Sequence, residues 1–380
     1  MPIHTYSPFS GKTPISARNP PIAMSASPQD FLLLDATVPE QRAQWLDLWR
    51  AWPHRDVAAH PGYVQRFARP QDKTVCACQI GTKSGILFPL IIRPLHNEPW
   101  AVGAGDICDL VSPYGYGGPF GWGSFKVEPF WAGLDRWAHT IHAVSLFARF
   151  SLFKEYLVPF YGDTLEKGPC VIVSLSKDPD ALFRSYHKAV RENIRQAERA
   201  GVAIEPDPEC RRLDEFLSIY YSAMNRLDAL PMYYFPKSFF ETLLDELPDQ
   251  VLLFHALHNE RVVSTELLLI SENYLYAFLG GTSEEGLQLR ANPLLRHGVN
   301  LWGKTHGKSH VVLGGGYSGA DSLLRYKQRF SQEGSVSFSV GTKIFDSHSY
   351  QALNDIRASW EGQQGSQWSP ADGFFPVYRG

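Results

Sequence analysis

The stretch from Leu279 to Phe330 constrains this chain most. It opens Leu279-Gly-Gly-Thr-Ser283 and continues through Arg290-Ala-Asn-Pro293 into an amphipathic run that ends at Gly307. A short apolar segment follows, then Gly314-Gly-Gly316, then Asp321-Ser-Leu-Leu-Arg-Tyr-Lys-Gln-Arg-Phe330. Val311, Val312 and Leu313 suit a buried strand, and Leu294, Leu295, Val299 and Trp302 recur at helical spacing. The stretch therefore reads as strand, loop, helix, strand, glycine turn, helix. Three consecutive glycines mean either backbone that takes positive φ or is closely approached, or a plain turn between strand and helix. In the last segment Leu323, Leu324 and Tyr326 fall near one side, with Phe330 a turn on as core. Lys327 comes four residues after Leu323 and lies near that side. It is either a charge for an anionic ligand or a lysine that snorkels to water.

A chain of 380 residues suggests two domains and a sizeable core. Hydrophobic residues at 44% and charged residues at 20% are ordinary for a globular protein. Aromatic residues reach 13%, which suggests large clefts or broad packing faces. A net charge of −3 argues against a nonspecific nucleic-acid coat and leaves room for a local basic groove. The cysteines are Cys76, Cys78, Cys108, Cys170 and Cys210, and only one residue separates the first two. No second ligand pair is present, so buried, reduced cysteines in a cytoplasmic protein are expected, and no metal. Residues 1–29 are rich in Pro and Ser and have no apolar core, so they are neither a signal peptide nor a membrane span. A disordered arm is expected there. Lys12, Arg18 and the lack of acids before Asp30 leave a transit peptide as the alternative, against which the prolines count.

Residues 30–168 read as a first unit. Pro39–Trp52 carries Trp45, Leu48, Trp49 and Trp52 at helical spacing. Pro61–Phe67 reads as a short helix, and Thr74–Ile80 and Gly85–Arg93 as paired strands around a Gly81–Gly85 turn. The first strand of this unit is not evident. Asp106–Pro119 is a loop of glycines and tyrosines, either an aromatic turn or a ligand contact. Phe130–Phe150 is predicted helical and Val171–Leu175 a strand. Residues 169–345 read as a second unit. Asp180–Ala200 is predicted to be one helix, with Arg184, Lys188, Arg191, Arg195 and Arg199 at steps of three and four. Those charges form either a solvated face or a phosphate-binding ridge. Further helices are predicted at Arg212–Arg226 and Pro236–Glu246, and a three-stranded meander over Gln250–Leu279. Residues 346–380 supply a last helix, Ser347–Trp360, and an aromatic tail.

Taken in order, Leu279-Gly-Gly-Thr, Asn292-Pro-Leu-Leu295, Leu313-Gly-Gly-Gly316 and Leu324-Arg-Tyr-Lys-Gln-Arg-Phe330 resemble the Fem-type branch of the GNAT acyltransferase superfamily. The resemblance covers roughly Cys170–Phe345. The Ser112-Pro-Tyr-Gly-Tyr-Gly-Gly-Pro119 loop extends it weakly into the first half. It implies an α/β (α+β) fold of two tandem GNAT-like units, with mixed, mostly antiparallel sheets flanked by helices and a C-terminus that returns to the first unit. It also implies N-acyl transfer by direct attack, with no tightly bound cofactor. The co-substrate is then aminoacyl-tRNA, or acyl-CoA or a carrier thioester. The acceptor is an amine of a small molecule or envelope precursor. A non-catalytic GNAT-fold binding protein is the alternative.

Under that resemblance Lys327 and Tyr326 handle the donor ester. Gly314, Gly315, Gly316, Arg290, Asn292, Arg191 and Arg195 are donor-binding, and Tyr114, Tyr116 and Tyr276 stand on the acceptor side. Coenzyme A-binding relatives carry a Gln/Arg-x-x-Gly-x-Gly/Ala loop, whereas Arg290-Ala-Asn-Pro293 has the arginine without the glycines. Pro293 also removes an N–H. Two carboxylates are candidate bases. Glu266 sits on a strand opposite Leu267 and Leu269, where it is otherwise an exposed side chain. Asp321 can equally cap the helix that follows.

Overall fold

A computed structural model describes residues 31–316 and 321–380. The arm expected over residues 1–29 lies outside them. The first half runs β1 (Phe31–Asp35), α1 (Pro39–Ala51), α2 (Pro61–Arg66), β2 (Lys73–Ile80), β3 (Gly85–Pro94), β4 (Cys108–Val111), β5 (Phe120–Trp122), α3 (Val127–Thr140) and β6 (Ala143–Arg149). The second half opens with β7 (Asp163–Ser174), α4 (Pro179–Ser185), α5 (Lys188–Arg199), β8 (Ala203–Asp207), α6 (Leu213–Arg226), α7 (Lys237–Glu246), β9 (Val251–His258), β10 (Arg261–Ile270) and β11 (Tyr274–Thr282). It continues with α8 (Glu284–Gln288), α9 (Ala291–Thr305), β12 (His310–Gly314), α10 (Ser322–Gln328), β13 (Ser335–Ile344) and α11 (Ser347–Gln363).

The strands form one mixed, mostly antiparallel 13-stranded sheet in the order β1-β2-β3-β4-β6-β13-β7-β12-β11-β10-β9-β8, with β5 beside β3. The order is a palindrome of two units. Each unit has four consecutive antiparallel strands and then a parallel neighbour, β4 with β6 and β11 with β12. At the centre the units exchange strands: β7 pairs with β12, and β13 pairs with β6. The two exchanged strands pair with each other from Ser335↔Val171 to Thr342↔Asp163. Tandem GNAT-like units are therefore the architecture. Gly168, where the units were expected to divide, lies inside β7 at the register shift opposite Phe338. The crossing from one half to the other is thus made by a strand and not by a linker.

Both faces of the sheet are packed. α5 and α9 cover one face of the second half through Val190, Ile194, Leu295 and Val299. α6 and α7 cover the other through Phe216, Tyr220 and Phe240, in one cluster with Val57, Ala58 and Tyr63 of the first half. Cys76 and Cys78 are buried together among the α1 tryptophans. Among the described residues, no His/Cys/Asp/Glu cluster of three or more could hold a metal, and no helix is long and apolar enough to cross a membrane.

Two sequence expectations need correction. The helix predicted over Phe130–Phe150 is α3 followed by β6. Residues 143–149 are packed on both faces beside a parallel neighbour, and such strands read as continuous apolar runs that periodicity does not separate from helix. The single helix over Asp180–Ala200 breaks at Tyr186, whose backbone is extended. There His187 N–H donates to the Arg329 carbonyl at 2.8 Å, and its imidazole caps α5 by accepting from Ala189 N–H. The first strand, not evident from sequence, is β1 on the outer edge of β2.

The chain end packs on the first half. Arg379 donates from Nε to Asp109 at 2.6 Å and from Nη1 to Glu98 at 2.5 Å, and the Tyr378 hydroxyl donates to Asp109 at 2.5 Å. Asp109 is buried, so removing its cation leaves an uncompensated charge. Arg379→Ala is expected to destabilise the fold by about 3–5 kcal/mol, read as a drop in the urea midpoint.

Candidate active site

The cleft opens where two parallel strands part. β11 and β12 pair over only three positions, ending at Tyr276↔Val312. Beyond them Ala277–Gly280 and Leu313–Gly316 diverge, and both segments line a cleft of about 1270 Å³. Its opposite wall comes from the first half: Asp56–Ala58, Tyr63, Tyr114–Tyr116 and Arg149. α6 and α10 close its sides with Tyr220, Met224, Tyr326 and Lys327.

α10 begins at Asp321, whose side chain accepts from Leu324 N–H at 2.8 Å. That cap fixes the helix start and puts Lys327 Nζ 2.7 Å from the Gly315 carbonyl, to which it donates. Gly314 has φ +78, and a Cβ there would sit 3.1 Å from the Tyr116 oxygen and 3.6 Å from Lys327 Nζ. Glycine therefore leaves open the space between the hydroxyl and the ammonium. Burial lowers the Lys327 pKa to about 8, and the nearby Arg296 cation adds to this. The Tyr326 hydroxyl donates to Asn292 Oδ1 at 2.6 Å, tying α10 to the first turn of α9. Phe330 is buried against the rings of Tyr186 and Tyr326. Leu323, expected on the apolar side with Leu324, instead lies exposed on the cleft while Leu324 alone is buried.

The facing wall is a chain of tyrosines. Tyr63 donates to the Tyr114 carbonyl at 2.8 Å. Tyr116 stacks on Tyr276 with centroids 5.8 Å apart, and its hydroxyl lies 3.4 Å from Cys170 Sγ. Tyr276 donates to Asp56 Oδ2 at 2.5 Å, and Ala58 N–H donates to Oδ1 at 2.9 Å. Burial raises the Asp56 pKa above the usual carboxylate value, opposed by these hydrogen bonds.

The cleft thus brings together Lys327, Tyr326, Gly314, Gly315, Gly316, Asp321, Tyr114, Tyr116 and Tyr276. Five other candidates are not among its lining residues. Glu266 leaves β10 on the α9 face, opposite Leu267 and Leu269, and its Oε1 is 3.0 Å from Arg296 Nη2 in a buried pair. Strand alternation, which sets it opposite the two leucines, turns it away from the cleft and into the core rather than to solvent. Arg290 is the exposed N-cap of α9 at φ 59. Arg191 donates to the carbonyls of Arg184 and Tyr186, and Arg195 lies over the Phe183 ring. Asn292 meets the site through Tyr326. Sequence reasoning missed Asp56, Arg149 and Cys170. Asp56 carries only a local capping signal, as the residue before the Val57–Ala59 turn, and nothing in the pattern joins it to Tyr276, 220 residues later.

Residues 184–328 match the family model for the acetyltransferase (GNAT) domain. That segment is similar to a GNAT acetyltransferase domain. The match spans α4 to α10 and so includes Lys327, the parting strands and the basic helix. Around that segment the whole fold resembles FemX, with 14% identity, TM-score 0.59, and coverage of 82% of this chain and 98% of that one. It also resembles the C-terminal domain of a protein named as a lysylphosphatidylglycerol synthetase from Agrobacterium fabrum (11% identity, TM-score 0.50, 83% and 96% covered). A third similar structure is a protein of unknown function from Bacteroides thetaiotaomicron (9% identity, TM-score 0.51, 80% and 97% covered). No curated protein matches the sequence. At these identities the likeness is one of fold, and the Fem-type resemblance read from the ordered motifs holds at that level.

The Lys327 proton is held more weakly in the folded chain, near pH 8, than at the ordinary 10.5 of the unfolded one. Between those values the unfolded state binds more protons, so stability rises with pH across that window. Lys327→Met is expected to be the more stable protein at pH 7, by up to about 3 kcal/mol. The gap should close as pH rises from about 8 to 10.5, measured by urea unfolding at stepped pH. Phe330→Ala should behave oppositely, losing about 3–5 kcal/mol at every pH because it opens a cavity.

Proposed function

We propose that this chain is an N-acyltransferase that moves an acyl or aminoacyl group from an activated ester onto an amine, by direct attack and without an acyl-enzyme. The observation that carries this reading is the half-buried Lys327 ammonium, anchored on the Gly315 carbonyl and opening past Gly314 toward the Tyr116 hydroxyl. The amine nitrogen attacks the carbonyl carbon, and the bond to the leaving oxygen or sulfur breaks. Lys327 offsets the negative charge that builds on the leaving group. The proton released by the amine passes to a carboxylate. Asp56 suits that role better than Glu266, because it lines the cleft and burial raises its proton affinity. Holding both reactants in one cleft supplies much of the remaining rate.

An aminoacyl-tRNA ester is the leading donor, with acyl-CoA or a carrier thioester second. Two features support that order. The first turn of α9 is engaged by Tyr326 through Asn292, and Pro293 contributes no N–H, which leaves a poor seat for a pyrophosphate. Arg195 stays exposed on α5 as a cation for a polyanionic donor. We assign the donor to residues 169–345. The acceptor, a small-molecule or envelope-precursor amine, falls to Tyr114, Tyr116 and Tyr276. Five free, buried cysteines fit a reducing, cytoplasmic setting.

Lys327→Met should stay folded and lose about a hundredfold in turnover, with acceptor affinity little changed. In the wild type, turnover should fall on the alkaline side with an apparent pKa near 8, and that limb should vanish in the variant. Product mass spectrometry with separate aminoacyl-tRNA and acyl-CoA pools supplies the assay. Near-normal turnover by folded Lys327→Met would leave the cleft without its electrostatic group and remove this mechanism.

A further inference from the structure

We propose that the outer part of the cleft holds the hydrocarbon chain of an amphiphilic substrate, with the reacting head at Lys327. This rests on the acyl-transfer reading for what reacts, but not for whether a chain binds. Three leucines from three elements line the cleft and yet face solvent: Leu227 after α6 is 68% exposed, Leu287 on α8 is 45% exposed, and Leu323 on α10 is 43% exposed. Met232, in the connection between α6 and α7, adds another exposed apolar side chain at 60%. Inward of this rim the lining continues through Met224 and Phe278 before it reaches the glycines and Lys327.

The rim is mostly apolar, with Asp228 beside Leu227 as an exposed charge, and the inner end carries Lys327. A scattered exposed leucine needs no explanation, but an apolar rim continuous with a reaction cleft does. The cleft, at about 1270 Å³, also exceeds the roughly 300–1,000 Å³ that suits a compact ligand. Even with donor and acceptor sharing that volume, an acetyl group or a single amino acid offers little apolar surface to the rim leucines. A flexible methylene chain would cover those side chains, and the thioether of Met224 can adapt to it. The chain has two candidate sources, the transferred acyl group or the acceptor amine. With a small aminoacyl group as donor, the chain belongs to the amine.

The test is binding of two probe series to the full chain by isothermal titration, each below its micelle concentration. One series is linear primary alkylamines from butylamine to dodecylamine. The other is N-acetylcysteamine thioesters from acetyl to dodecanoyl. In one series the dissociation constant is expected to fall by about fourfold per methylene until the cleft is filled, and the series that does so names the source of the chain. The double substitution Leu227→Asp with Leu287→Asp should flatten that slope, with thermal midpoint recorded as the folding control. Affinity independent of length in both series overturns the proposal, as does a slope that survives the double substitution. A steep slope in a protein that turns nothing over would keep this inference and sink the acyl-transfer reading instead.

Discussion

The pairing of β7 with β13 at the middle of the sheet is the interaction on which the rest depends. β7 leaves the first half and completes the second by pairing with β12, while β13 leaves the second and completes the first by pairing with β6. Pulling the halves apart would strip the N–H and C=O groups that face across this ladder of their partners, which is expensive for buried backbone. The halves are therefore held by a ladder running from Ser335↔Val171 to Thr342↔Asp163. The same two strands place Cys170 and Phe338 in the lining of the cleft. The element that joins the units also forms part of the surface between them.

Side-chain bonds across the halves then set the shape of that surface. The loop after α1 is docked on β10 and β11 by Tyr276 to Asp56, by Val57 N–H to Ser271 Oγ at 2.8 Å, and by Glu272 N–H to the Arg55 carbonyl at 3.0 Å. A buried carboxylate is costly unless hydrogen-bonded. Asp56 is thus tolerable only while the first-half loop sits against Tyr276. Its presence in the cleft implies that the two walls keep one relative position.

The local order of the second half was legible because its signals are local. The glycine run, the Asp321 cap and the 3.6-residue period of Leu294, Leu295 and Val299 each act within a few residues, and each sits where they indicated. What was hidden depended on partners distant in sequence. The break at Tyr186 follows from a bond to Arg329, and β6 reads as helix because both of its faces are packed. The role of Glu266 was hidden in the same way, since alternation set the side of the sheet but not the arginine waiting there. The tyrosine loop after β4 and Tyr276 on β11 were visible as chemistry, yet Asp56, to which Tyr276 donates, was not.

The Glu266–Arg296 pair shows why the cleft places its charge at a cost. Glu266 Oε2 and Arg296 Nε and Nη1 are buried and find no hydrogen-bond partner among the described residues. Such a pair adds little net stability, but breaking it would strand a charge. Its two members act oppositely on Lys327: Arg296 adds to burial in pushing the lysine down to about 8, and Glu266 opposes it. Burial outweighs what favours the ammonium in the resting protein, namely the carbonyl beside it and the charges of Glu266 and Asp321. Negative charge arriving in the cleft would relieve that imbalance, and relief that grows as charge develops favours the transition state over the bound substrate. Under the proposed acyl transfer, the cost that Lys327 bears in folding is the electrostatic term that the reaction would recover.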